Sequence, residues 1–205
     1  MIHGYHLIWG SYGFWLPNDP RGSWSDFVAS WELVRFGHAT RPIDSVKVDL
    51  EQWAKWRQQA RASLKYPAVQ FAGEQAQAIG NGFANGVRKS KLTVWACSVL
   101  PDHVHMIVAR HTYKAEQICN LLKGEATKAL AAKSLHPHFG LTTDKGDTPS
   151  PWERGHWKVY LDCEEQIEQA IRYVEQNPVK EGKPLQKWSF VSPFFGLPAG
   201  WITYK

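Results

Sequence analysis

No stretch of this 205-residue chain reaches the roughly 18 consecutive apolar residues that a membrane-spanning helix requires, so no membrane partner is expected. Cysteine is scarce as well. Cys97, Cys119 and Cys163 are far apart, odd in number and without a Cys-x-x-Cys pair, which argues against a structural zinc or redox motif and predicts reduced thiols. The first residues, MIHGYHLIWG, hold neither a basic segment nor a sustained apolar run with a small-residue cleavage site, so a cytoplasmic protein is expected. Dense basic runs are missing too: a net charge of +5 and a pI of about 9.1 favour a polyanionic partner but fall short of a tail that grips duplex DNA unselectively. There is no internal repeat, low-complexity tract or convincing linker, and the chain reads as one domain over 1–205.

What is present in quantity is tryptophan. The 11 Trp each read first as core residues, yet aromatic faces mixed with Lys and Arg also suit stacking on unpaired bases. Residues 2–9 alternate like a strand, with His3, Tyr5, Leu7 and Trp9 on one side and Gly4, His6 and Ile8 on the other. Gly, Pro, Asn and Asp then predict loops and short helical pieces from Ser11 to about Pro42. Asp49 is placed to cap a helix running to about Leu64, and Ala76, Ile79, Phe83 and Val87 predict a second over Gly73–Arg88, where Gly80, Gly82 and Gly86 would permit close packing against a sheet. KLTVWACSVL and HVHMIVAR read as two strands of a hairpin turned at Pro101-Asp102. A helix over Lys114–Ser134, a loop over Leu135–Pro151, a strand over His156–Leu161 and a helix from Glu164 to Asn177, ended by Pro178, complete the series. Strand, helix, strand, strand, helix, strand, helix is a ferredoxin-like α+β order: an antiparallel sheet with helices on one face, an insertion at about 11–70, a further C-terminal helix and an extension at about 179–205.

His103 and His105 are separated by one residue in a strand, so both imidazoles project from one face while Val104 and Met106 point the other way. Two aligned imidazoles suit a divalent metal, although a bare His-x-His also occurs with one ring simply facing solvent. Tyr173 and Asn177 lie about 40° apart on the flank of the last helix, whose apolar stripe is Ile167, Ala170, Ile171 and Val174. By themselves they read equally as a packing tyrosine and a helix-ending asparagine.

LPDHVHMIV resembles the signature of the HUH single-tyrosine transposases, and RYVEQNPVK resembles that family's tyrosine-bearing helix. GYHLIWGSYGFWLPNDPRGSW and HWKVYLDCEEQIEQA are similar to the branch called REP-associated tyrosine transposases. The four matches fall in the family's order and leave uncovered about 28–90 and the extreme C-terminus. The resemblance implies that Tyr173 is the nucleophile, that His103, His105 and Asn177 hold Mg²⁺ or Mn²⁺, and that single-stranded or hairpin DNA is cut through a 5′-phosphotyrosine. It makes Arg21, Lys123, Lys128 and Arg154 candidate phosphate contacts and Trp15 and Trp24 candidate stacking residues. It places His6 close to the metal strand and allows a monomer or a homodimer, associated with the nucleoid through DNA. The alternatives are a non-cleaving hairpin-binding protein derived from a transposase and a metal-dependent hydrolase using His103 and His105 on water, with Tyr173 structural.

Overall fold

The computed structural model describes residues 1–16 and 50–197. Their order is β1 (Gly4–Gly10), α1 (Leu50–Ala62), α2 (Gly73–Ser90), β2 (Val94–Val99), β3 (His103–Ala109), α3 (Ala115–Ala132), β4 (Trp157–Leu161) and α4 (Glu164–Lys180). Asp49, Arg21, Trp24 and most of the predicted loop over 11–42 lie outside the described residues. The chain forms two compact units: Met1–Trp9 with Phe71–His136 and Gly155–Lys205, and Gly10–Gln70 with Pro137–Arg154.

The first unit is built on a four-stranded sheet of order β2-β3-β1-β4, the α+β arrangement in which each crossover helix joins strands separated by one neighbour. β2 and β3 close as the sequence predicts, with the Leu100 N–H donating to the His103 carbonyl at 2.8 Å around the two-residue Pro101-Asp102 turn. The crossover helices start alike: Gln75 reaches back to the Ala72 N–H at 2.9 Å and Gln117 to the Lys114 N–H at 2.8 Å, each satisfying a donor the helix cannot use. One face of the sheet meets α2 and α3, with Trp9 edge-on to Phe83 at 5.7 Å. On the other face Ala96, Ile107 and Leu161 pack against Ile167 and Val174 of α4. The tyrosine-bearing helix thus packs on the opposite side of the sheet from α2 and α3, beside Phe194 and Leu197 of the C-terminal segment.

The glycines of α2 serve a different purpose from the one predicted. A Cβ on Gly82 would lie 2.6 Å from both the Ala126 Cα and the Glu125 carbonyl oxygen, and one on Gly80 would overlap the Trp188 ring, so these residues admit α3 and the C-terminal segment rather than the sheet. Gly82→Ala is expected to destabilise the fold by about 1–3 kcal/mol, because the added methyl meets backbone that cannot rotate away. Gly124→Ala, with nothing within 4 Å of the new atom, should instead stabilise α3 by about 0.5–1 kcal/mol. Urea denaturation of the pair checks both signs.

α4 does not stop at Asn177 as expected; it runs through Pro178 to Lys180. A proline this close to the end removes one hydrogen bond only, the one that would return to Val174, and the Glu181 N–H closes the helix on the Asn177 and Pro178 carbonyls at 3.3 and 3.1 Å. Asn177 is thus held inside a regular turn rather than at a frayed end.

Beyond α4 the chain returns to the outer edge of β2. The Gln186 carboxamide both accepts from the Val99 N–H and donates to the Val99 carbonyl, each at 2.8 Å. The Trp188 indole N–H reaches the Cys97 carbonyl at 3.2 Å and the Ser192 N–H the Val94 carbonyl at 2.8 Å. Backbone groups that an edge strand would expose are satisfied within the chain.

In the second unit Ser11 bridges to Trp152, and its hydroxyl donates to the Val69 carbonyl at 2.7 Å. His138 is buried with a ring nitrogen 2.9 Å from the Pro67 carbonyl and its other 3.3 Å from the Pro149 carbonyl, between the rings of Tyr12 and Tyr66. The α1 residue Ala60 packs with Leu16 and Leu64.

Candidate active site

The alternation of β3 sends His103, His105 and Ile107 to the α4 face, and the matching alternation of β1 sends His6 there too. Because β1 and β3 are neighbours, His6 comes to rest with Nε2 2.9 Å from His105 Nδ1. Asp102, the turn residue, places Oδ1 2.7 Å from His103 Nδ1. The same nitrogen of each strand histidine is therefore engaged by a neighbouring side chain. The two rings lie edge to face with centroids 4.9 Å apart.

α4 brings Tyr173 over this group, its ring 5.6 Å from His105 and 6.0 Å from His6, while the residue stays 45% exposed. Lys180, two turns on, sets its ammonium 4.7 Å from the Tyr173 ring centre. Asn177, one turn on, is buried, and its Nδ2 has no hydrogen-bond partner. A buried amide that makes no hydrogen bond through nitrogen has no structural bond to explain it, which fits a side chain whose purpose is to present oxygen to a metal. No three His, Cys, Asp or Glu side chains are grouped to hold a metal among the described residues; the Asn177 carboxamide is a donor of another kind that could join the two histidines.

Burial holds the His6 imidazole down to about 4 from its ordinary 6.5. Burial, then repulsion from His103 and His6, holds His105 well below its ordinary value. Both rings are therefore neutral at physiological pH, the state in which imidazole binds metal. In the unfolded chain they take up protons once the pH falls below about 6.5, whereas folded His6 does so only near 4. The unfolded state binds more protons in that window, so stability is fully present above about 6.5 and is lost as the pH falls toward 4, by roughly 3 kcal/mol for His6 alone. Urea denaturation in a chelator at pH 7 and pH 4.5 should show this loss, and a smaller one in His6→Asn; equal losses would remove His6 as its source.

The predicted DNA contacts fare differently. Lys123 is buried on α3 with its ammonium on the Gly155 carbonyl, so it cannot grip a phosphate. Lys128, also on α3, is exposed but paired with Glu125 at 2.9 Å, and α3 lies across the sheet from Tyr173, so it does not face the site either. Trp15, edge-on to Phe14 at 4.6 Å, and the exposed Arg154 belong to the second unit. Asp102 and Lys180 were not singled out from sequence: one was read only as a turn residue, and the other fell beyond the expected helix end at Asn177.

Fold and side chains together define a class: a ferredoxin-like sheet with a paired-histidine strand facing a helix-borne tyrosine. No protein-family model matches the sequence, and no curated protein does. Among solved structures the chain is similar to a REP-associated tyrosine transposase bound to a REP hairpin, at 20% identity and a TM-score of 0.42, over 58% of this chain and 63% of that one. It is also similar to a candidate transposase from Deinococcus radiodurans R1, at 15% identity and a TM-score of 0.43, over 86% of this chain and 91% of that one.

Proposed function

We propose that this chain is a transposase-type strand transferase that cuts single-stranded DNA at or near hairpin sequences, with Tyr173 as nucleophile. The observation that carries this reading is the position of that ring, open to solvent on one side and set against His105 and His6 on the other. The phenol oxygen bonds to the scissile phosphorus as the bond from phosphorus to the 3′ oxygen breaks. The phenol proton is released, and the departing oxygen takes up a proton to become a 3′-hydroxyl. The 5′-phosphotyrosine keeps the energy of the broken bond, so a 3′-hydroxyl from the same or another strand reverses the step without ATP. Lys180 sets a positive charge over the face of the Tyr173 ring.

His103 and His105, through Nε2, and Asn177, through its carboxamide oxygen, would hold Mg²⁺ or Mn²⁺. When bound, the ion neutralises charge on the phosphate oxygens. Asp102 and His6 fix the orientation of the two imidazoles, the usual task of groups behind metal-binding histidines. The test uses hairpin-containing single-stranded DNA labelled at either end, incubated with protein and Mn²⁺ and run on a denaturing gel. The 3′-end label should travel with the protein and the 5′-end label should appear in a free shortened strand. Multiple-turnover hydrolysis without linkage would mark a hydrolase acting through water, and binding without cleavage a recognition module.

A further inference from the structure

Of the cations on and just beyond α4, Arg172 pairs with Glu168 at 3.4 Å and Lys183 lies 4.0 Å from Glu181. Lys180 is exposed and pairs with no carboxylate among the described residues; its ammonium lies 4.7 Å from the centre of the Tyr173 ring instead. Seven residues of helix fall only about 20° short of two full revolutions, so Lys180 stands almost directly beyond Tyr173 on the same face of α4. Side chains on a helix lean toward its N-terminus, which brings the lysine stem back along α4 and the ammonium to the ring. A lysine that only answered the negative end of the helix dipole would keep its charge at the last carbonyls. This one carries it away from them, to the residue with the exposed phenol.

We propose that Lys180 binds the reacting phosphate: its ammonium donates to a non-bridging oxygen of the phosphodiester that Tyr173 attacks. The inference rests on the strand-transfer reading given above and adds a substrate contact to it. A phosphodiester is anionic and the face of an aromatic ring is electronegative, so a cation beside the ring lets the phosphate settle within reach of the phenol oxygen. Lysine suits that task. Its single compact charge on a flexible four-carbon stem can leave the ring and follow the phosphate as phosphorus passes from the 3′ oxygen to the phenol. Until a phosphate arrives, the ring face holds the ammonium in place.

The experiment follows binding of hairpin-containing single-stranded DNA to the full chain by fluorescence anisotropy in chelator across a range of salt, and adduct formation on the denaturing gel with Mn²⁺. Lys180→Gln should reduce the slope of log affinity against log salt by about 0.7, the contribution of one phosphate contact on a single strand. It should also slow adduct formation by about 100-fold, as removal of one donor to a reacting oxyanion does. Lys180→Arg keeps the charge and should retain most of both. If Lys180→Gln melts lower than wild type, Lys180→Met, which keeps an apolar stem on the ring, should show the same two losses. A neutral methylphosphonate at the mapped cleavage linkage should weaken binding by the wild type and change nothing further in Lys180→Gln, because the contact is already gone. An equal loss in both proteins, or a wild-type slope and adduct rate in Lys180→Gln, overturns the proposal and leaves strand transfer by Tyr173 standing. A wild type that binds the hairpin without forming an adduct overturns both.

Discussion

Tyr173→Phe should abolish the covalent protein–DNA adduct while leaving affinity for hairpin DNA within a few-fold of wild type. The substitution removes one oxygen from a ring that is 45% exposed, so little core packing is lost and the fold should survive. The imidazoles of His6 and His105 keep the same aromatic neighbour, and Lys180 keeps a ring to lie against. What is lost is the oxygen proposed to join the phosphorus. Removal of a covalent nucleophile lowers turnover by about 10⁴-fold or more when no other group replaces it, and cleavage should fall on that scale. A gel-shift titration against the labelled hairpin measures binding, and the denaturing gel measures the adduct. An adduct that survives Tyr173→Phe would show that another residue attacks. Cleavage that persists without an adduct would point to water as the nucleophile.

The residues that specify this site differ in how openly the sequence displays them. The turn of the β2–β3 hairpin was legible in the sequence, because Pro101-Asp102 marks it and period-two alternation then fixes which side His103 and His105 share, although β2 begins at Val94 rather than Lys91. Tyr173 and Asn177 were legible as a pair one turn apart. His6 was harder: its alternation on β1 was visible, but its 2.9 Å approach to His105 depends on β1 lying next to β3, a fact of sheet order and not of local pattern. The extension of α4 through Pro178 was misread because proline is judged as a helix breaker, whereas near the last turn it forfeits a single bond. Lys123 was misread for a related reason. Its charge marks it for a surface, but the carbonyl of Gly155, 32 residues on in the chain, accepts from its ammonium and helps make burial tolerable.

His105→Ala should eliminate metal binding without eliminating the tyrosine, and so separates the two halves of the proposed chemistry. His105 is buried, neutral and tied to His6, so its loss removes one donor and frees the ring that orients it. Loss of a group behind a ligand weakens binding by about 10–100-fold, and loss of the ligand itself should do at least as much, so Mn²⁺ affinity should fall by about 100-fold or more. Stability provides a readout independent of DNA. Wild type at a Mn²⁺ concentration of about 100 times Kd should gain roughly 2.7 kcal/mol from binding, seen as a rise in melting temperature, and Tyr173→Phe should show the same rise. His105→Ala should show almost none, whatever its melting temperature in chelator. His103→Ala should behave alike, since on this proposal the pair would grip the ion together from a single strand face. His6→Ala should keep a reduced rise, because it removes the support and leaves both donors. A full Mn²⁺-induced rise in His105→Ala would place the ion elsewhere and leave the buried histidines as packing, whereas loss of the rise together with loss of the adduct would tie the ion to the attack by Tyr173.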